Sequence, residues 1–170
     1  MRNPLLVNAL ELLRRPGTHK DVELAVAPSV LGIDDRRLLP ESDIDVRVLC
    51  ESLSDGIVVE GRVQLDFRGE CRRCLTPLTG TLSIEVHELY QVAITDPDAF
   101  PIENDQIDLA TMVRESVLLD LPNAPVCRAD CAGLCPVCGA DRNTLRCGCP
   151  ATSPDPRWAA LDALREQLPE

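Results

Sequence analysis

The chain has 170 residues, enough for one domain or a domain with a small appendage, and 45% of them are apolar, enough to build a core. A formal net charge of -11 disfavours non-specific binding to nucleic acid, and the aromatics Phe67, Tyr90, Phe100 and Trp158 are too few to read bases on stacked rings. No apolar run approaches the roughly 18 residues that cross a bilayer, and residues 5–13 are interrupted by Asn8 and Glu11 with no small-residue cleavage site before Arg14, so a cytoplasmic chain with reduced thiols is expected.

Residues 1–20 read as a polar leading segment with at most a short amphipathic turn, ending at the breaker Arg14-Arg15-Pro16-Gly17. Val22, Leu24 and Val26 then alternate as in a strand that Pro28 stops. Ile44, Val46, Val48 and Cys50 alternate again, followed by Ile57, Val59, Val63, Leu65 and Phe67, and then by Leu82, Ile84 and Val86. Turn residues such as Ser54-Asp55-Gly56 separate the runs, which predicts an antiparallel meander with Cys71-Arg72-Arg73-Cys74 near the tip of the hairpin joining its last two strands. Residues 96–108 read as an acidic, solvated loop. Leu109, Met112, Val113, Val117 and Leu121 fall at helical spacing, which predicts an amphipathic helix with Asp108 as its N-cap and Pro122 as its stop. Periodicity vanishes over residues 127–149, where cysteine, glycine and proline take over. Asp155-Pro156 then signals the start of a short helix with Trp158, Leu161, Leu164 and Leu168 on one side. The expected fold class is α+β: an antiparallel β-sheet meander with one packed amphipathic helix, a cysteine-rich zinc segment and a short C-terminal helix. A division into residues 1–121 and 122–170 follows, and the two parts can pack as one domain.

Nine cysteines in a chain expected to keep its thiols reduced point to metal or redox chemistry. Zinc takes four thiolates at about 2.3 Å, and pairs two to four residues apart can chelate it from a single turn. Cys135-Pro136-Val137-Cys138-Gly139 has the form of a zinc knuckle, whose glycine permits a left-handed turn that aims backbone N–H groups at sulfur. Cys147-Gly148-Cys149 can close that site. Cys71, Cys74, Cys127 and Cys131 remain, in pairs that only the fold can bring together, so they form a second zinc site, or one zinc draws on a different mixture of the eight ligands. Cys50, at the end of an alternating strand, reads as a small buried hydrophobe. A thioredoxin-like centre would need its Cys-x-x-Cys to open a helix after a strand, and Leu75-Thr76-Pro77 opens none. His19 and His87 lie outside the cysteine clusters, and no phosphate loop or nucleophile elbow is present, so no catalytic residue is expected and the chain does not read as an enzyme.

Three stretches together resemble one known family. Gly69-Glu70-Cys71-Arg72-Arg73-Cys74-Leu75-x-Pro77 is similar to the first signature of the YceD family, the large ribosomal RNA subunit accumulation proteins. Ile107-Asp108-Leu109, Leu121-Pro122 and Cys131-Ala132-Gly133-Leu134-Cys135-Pro136-x-Cys138-Gly139 are similar to its second, and Asp155-Pro156-Arg157-Trp158-Ala159-x-Leu161 to its ending. The resemblance covers roughly residues 20–168, with one departure at Asp141-Arg142, where family members more often carry a neutral pair before the asparagine. It implies a ribosome-assembly role in the synthesis, processing or stability of large-subunit (23S) ribosomal RNA.

Two kinds of partner are compatible with the charge pattern. Residues 61–80 and 127–149 are locally basic, and Arg68, Arg72, Arg73, Arg128, Arg142 and Arg146 surround the cysteines as candidate RNA contacts, the guanidinium fork being suited to phosphate. They could equally offset the negative zinc–thiolate centres, since two zinc ions held by eight thiolates would take the balance to about -15. Residues 85–120 carry nine acids against one arginine, which suits an adaptor for a basic ribosomal protein or assembly factor. A large-subunit rRNA or precursor particle is the first expectation for a partner, a basic protein the second, and a membrane neither.

Overall fold

The computed structural model describes residues 4–39 and 41–150 together with Arg157 and Leu161; the predicted C-terminal helix lies outside the described residues, save those two. Backbone contacts divide the chain into two compact units, one made of Met1–Glu70 with Pro77–Pro125, the other of Cys71–Thr76 with Val126–Glu170.

The first unit is a seven-stranded sheet with few helices. Its strands are β1 (Leu6–Asn8), β2 (His19–Val26), β3 (Ile44–Ser52), β4 (Ile57–Glu70), β5 (Pro77–Gln91), β6 (Phe100–Glu103) and β7 (Gln106–Asp108). They lie in the order β1-β7-β6-β5-β4-β3-β2. From β2 to β5 the neighbours are consecutive and antiparallel, with Val46 opposite Val63 and Val63 opposite Ile84. The period-two pattern seen in the sequence does what a half-buried sheet requires: Ile44, Val46, Val48, Cys50, Ile57, Val59, Val63, Leu65, Ile84 and Val86 are all buried, while the residues between them in β3 are mostly exposed.

The sheet is mixed rather than wholly antiparallel, because β6 pairs parallel to β5, with Tyr90 opposite Phe100 and Gln91 opposite Pro101. Buried Gln91 accounts for the reversal. Its Oε1 accepts from the Thr95 and Asp96 amides and the Thr95 hydroxyl, at 2.9, 3.1 and 3.1 Å, which folds the chain back beside the strand it has just left. The Tyr90 and Phe100 rings stack with centroids 5.2 Å apart and seal the pair. The expected acidic loop therefore contains the short hairpin β6–β7. The leading segment is less polar than expected: Leu5, Val7, Ala9 and Leu12 are buried and β1 pairs with β7, while its short amphipathic turn is helix α1 (Leu10–Arg14), tied to β3 by the buried Ser52 hydroxyl, which donates to the Leu12 carbonyl at 2.6 Å.

Helix α2 (Leu109–Asp120) packs on β5 and on the 3-10 turn Pro28–Leu31 through Leu109, Met112, Val113 and Val117. Asp108 caps it, its carboxylate accepting from the Ala110 amide at 2.9 Å. The other end is held by Arg37, whose guanidinium donates to the Leu121 carbonyl at 3.1 Å and the Asn123 side chain at 2.6 Å while gripping Asp35 at 2.7 Å. Among the described residues no helix is long and apolar enough to cross a membrane.

In the second unit the backbone follows turns, with one isolated bridge, Leu134 to Asp141, among the described residues. Every member of the apolar core cluster belongs to the first unit. The buried side chains described in the second unit are instead Cys71, Cys74, Cys131 and Cys135.

Candidate metal centres

Cys71–Thr76 is the loop between β4 and β5, and the residues at its ends, Glu70 and Pro77, are a ladder pair. The loop turns tightly: the Cys71 amide donates to the Thr76 carbonyl at 2.9 Å and the Leu75 amide to the Cys71 carbonyl at 2.8 Å, with Leu75 left-handed at φ 60°. Residues 135–139 repeat the device. The Gly139 amide donates to the Cys135 carbonyl at 2.8 Å, and Gly139 takes φ 74°, the left-handed turn anticipated for it. Each knuckle thus presents two sulfurs from one turn.

Eight of the nine cysteines converge in two groups of four, each of which could hold a metal ion. Cys71, Cys74, Cys127 and Cys131 form the first tetrad and Cys135, Cys138, Cys147 and Cys149 the second, the sulfurs of each lying within 4.8 Å of one another. The Cys71–Cys131 and Cys74–Cys127 sulfurs are 3.8 and 3.7 Å apart. That is far too long for a disulfide, whose bond is about 2.05 Å. It is close to the roughly 3.8 Å edge of a tetrahedron whose corners sit about 2.3 Å from its centre. The donor set fits a soft, tetrahedral divalent ion, and four sulfurs leave no corner for water.

The electrostatics of the thiols agree. Backbone N–H groups of Cys127, Cys74 and Arg73 lower the Cys71 thiol to about 6, and those of Cys138 and Val137 lower Cys135 to about 6. In the second group, bonding to the Cys138 sulfur pushes Cys149 up to about 12 and bonding to Cys135 raises Cys147. In the first, burial pushes Cys127 up to about 12, while at Cys131 burial is outweighed by hydrogen bonds from Asn143 and Gly133, which lower its thiol. Each group thus combines thiols that ionise readily with thiols held protonated, because thiolates at this spacing repel. A cation at the centre removes that conflict. Cys50 stays outside both groups, fully buried in β3, with its thiol raised to about 11 by burial.

The six arginines singled out in the sequence divide. Arg68 donates to the Arg36 carbonyl at 2.8 Å. The Arg73 guanidinium is spent on the Ala129 and Cys131 carbonyls, both at 3.0 Å, and its own carbonyl receives the Leu134 amide at 2.9 Å. Arg128 donates to Asn143 at 2.8 Å and pairs with Asp130 at 3.2 Å. Arg72, Arg142 and Arg146 are exposed, and their guanidiniums bond no other described residue; Arg142 and Arg146 line an open cavity of about 460 Å³ with Pro136 and Leu145. His19 and His87 are exposed, His87 lying 3.5 Å from Glu60 on the sheet. Asn143, whose side chain the structure places against Cys131, and the backbone-bracing part of Arg73 are not legible in the sequence, where the one sign of Asn143 is a polar residue inside a cysteine-rich loop.

The family model described as large ribosomal RNA subunit accumulation protein YceD matches residues 59–165. An uncharacterised protein of Mycobacterium tuberculosis is 37% identical over 172 residues, spanning 94% of this chain and 80% of its own length. The chloroplastic YCED homolog 1 of Arabidopsis thaliana, itself described as a large ribosomal RNA subunit accumulation protein, is 35% identical over 69 residues, 41% of this chain and 22% of that protein. YlbN of Bacillus subtilis is 28% identical over 142 residues, 81% of each chain. No solved structure matches the chain significantly.

Proposed function

The chain belongs to the YceD family of large ribosomal RNA subunit accumulation proteins, and from that premise we propose that it is a zinc-stabilised, non-enzymatic ribosome-assembly factor of the cytoplasm that supports synthesis, processing or stability of 23S ribosomal RNA. The observation that carries the reading is the pair of four-sulfur groups in a unit whose described buried side chains are cysteines. Zinc is the metal because it accepts four thiolates in a closed tetrahedron and needs no redox partner, the pattern of structural rather than catalytic sites. The eight tetrad cysteines are the ligands, one ion to each group.

Bound metal would hold the turns that carry Arg72, Arg142 and Arg146, the three arginines with guanidiniums uncommitted among the described residues. These are the RNA contacts in this reading, whereas Arg68, Arg73 and Arg128 serve the fold. Such contacts have to work against the chain's net negative charge, so binding should be local and steeply weakened by salt. Gel shifts against large-subunit rRNA fragments across a salt series test it. Arg142→Glu with Arg146→Glu should weaken binding at least tenfold and flatten the salt slope. Unchanged affinity and slope would remove RNA contact from this surface.

A second reading has its own support on the sheet. Asp21, Glu23, Glu60 and Glu85 line an open depression of about 590 Å³ on the solvent face of β2–β5 beside Arg47, Glu85 being paired with Arg62 at 2.7 Å, and the remaining acidic excess suits a basic ribosomal protein. Recovery of ribosomal proteins with the tagged chain after nuclease treatment favours this adaptor; their loss on treatment favours RNA. Thiol oxidoreductase chemistry is the weakest alternative, since both Cys-x-x-Cys pairs are engaged with two further sulfurs.

A further inference from the structure

We propose that Asn143 couples the two tetrads, so that metal bound in one raises the affinity of the other; this rests on the reading of both groups as metal ligands. Asn143 sits in the loop between Cys138 and Cys147, yet its side chain belongs to the neighbouring group. Its Nδ2 donates to the Cys131 sulfur at 3.5 Å and to Asp141 Oδ1 at 2.6 Å. Its Oδ1 accepts from the Ala132 amide and the Arg128 guanidinium, both at 2.8 Å. Both donor hydrogens and both acceptor positions of one amide are therefore used, and only an asparagine in this place offers that set.

The turn that presents this amide is built by the second tetrad's loop. Asp141 Oδ1 accepts from the Asn143 amide at 2.9 Å, and the Asp141 carbonyl accepts from the Leu145 amide at 2.9 Å. The turn is anchored to the segment between the tetrads by the Arg142 amide to the Gly133 carbonyl at 2.9 Å and the Cys135 amide to the Ala140 carbonyl at 2.8 Å. Gly133 has to be glycine, since it takes φ 69° and a Cβ would lie 2.9 Å from the Arg73 carbonyl oxygen. Closing the second tetrad thus fixes the turn, and the turn delivers a hydrogen bond to a sulfur of the first. An N–H directed at a thiolate favours its charged, ligating form and holds its direction, as outer-shell partners of metal ligands do. The dependence is reciprocal, because a metal that fixes Cys131 also fixes what Asn143 binds. The bland alternative is that Asn143 only shapes its own turn; it would then act on the second tetrad and leave the first alone.

The full chain, reduced and stripped of metal, is titrated with Co²⁺, whose thiolate charge-transfer and d–d bands report each four-sulfur site. Disabling the second tetrad with Cys147→Ser and Cys149→Ser should weaken the first about 10- to 100-fold. Asn143→Ala should weaken the first tetrad comparably, and combining it with the disabled second tetrad should add little, because the coupling runs through that residue. Asn143→Asp preserves shape and both acceptor contacts but has no N–H for Cys131 or for Asp141 and sets a carboxylate against each, so it should weaken the first tetrad at least as much as Asn143→Ala. Cobalt bands from the second tetrad show that each Asn143 variant is folded. First-tetrad affinity that is indifferent to the second tetrad, or retained in Asn143→Asp, overturns the coupling while leaving both metal sites standing. A chain that takes up no cobalt overturns the metal reading itself.

Discussion

At the scale of single residues, the two knuckles reach the same turn by different means. Gly139 adopts its left-handed conformation at no steric cost, with no atom within 4 Å of where a Cβ would stand, whereas Leu75 takes φ 60° with a full side chain. A left-handed L-residue costs about 1–2 kcal/mol. Gly139→Ala should therefore weaken metal binding at the second tetrad about tenfold through the backbone alone, and Leu75→Gly should leave the first tetrad as tight or slightly tighter; competition titration with a coloured chelator reads both. The cysteine pairs and the glycine behind one of them are legible in the sequence because knuckle chemistry is local. Asn143 and Arg73 are not, since their partners Cys131 and Ala129 come from separate turns and hydrogen bonds of that kind leave no spacing to read.

At the scale of elements, the long strands and α2 are legible for the same reason that they are stable: many residues repeat one period against one core. Three- to five-residue elements such as β1, α1, β6 and β7 carry too few repeats to show a period, and the parallel pairing of β6 is set by the single side chain Gln91. Helix α2 is fixed at both ends by side chains that can be tested. Asp108→Ala should cost about 1 kcal/mol by removing the cap. Arg37→Ala should cost about 1–2 kcal/mol by releasing the Leu121 carbonyl, a penalty typical of charge-assisted bonds in part-exposed positions. Urea denaturation of the full chain measures each. The grip of Arg37 holds Asp35 down at about 2, against an ordinary value of 3.8. A depressed carboxylate stabilises the fold above its unfolded value, so the difference between wild type and Arg37→Ala should be complete above pH 4 and shrink as pH falls toward 2.

At the scale of the whole molecule, two kinds of interior coexist in one chain. The sheet unit is held by an aliphatic core, and the second unit, among its described residues, by sulfur. A structural zinc site supplies on the order of 10–16 kcal/mol of apparent binding energy, comparable with the net stability of a domain, so metal can stand in for the apolar core that the described residues of the cysteine-rich unit do not form. A strong chelator should then abolish the ordered structure of residues 127–149 while the β-sheet circular dichroism persists. Pairing of the remote Cys71 and Cys74 with Cys127 and Cys131 is only partly legible, because spacing along the chain cannot say which distant turns meet; it yields one knuckle with its closing pair and two remaining pairs, whose union in a second site competes with other mixtures of the eight ligands.

Metal content measured by native mass spectrometry, on full-length chain purified under reducing conditions without chelator, bears on all of this most directly. Two zinc ions per chain, both lost on chelation together with the fold of the cysteine-rich unit, is the predicted result. A metal-free chain whose cysteine-rich unit is nevertheless folded would contradict it.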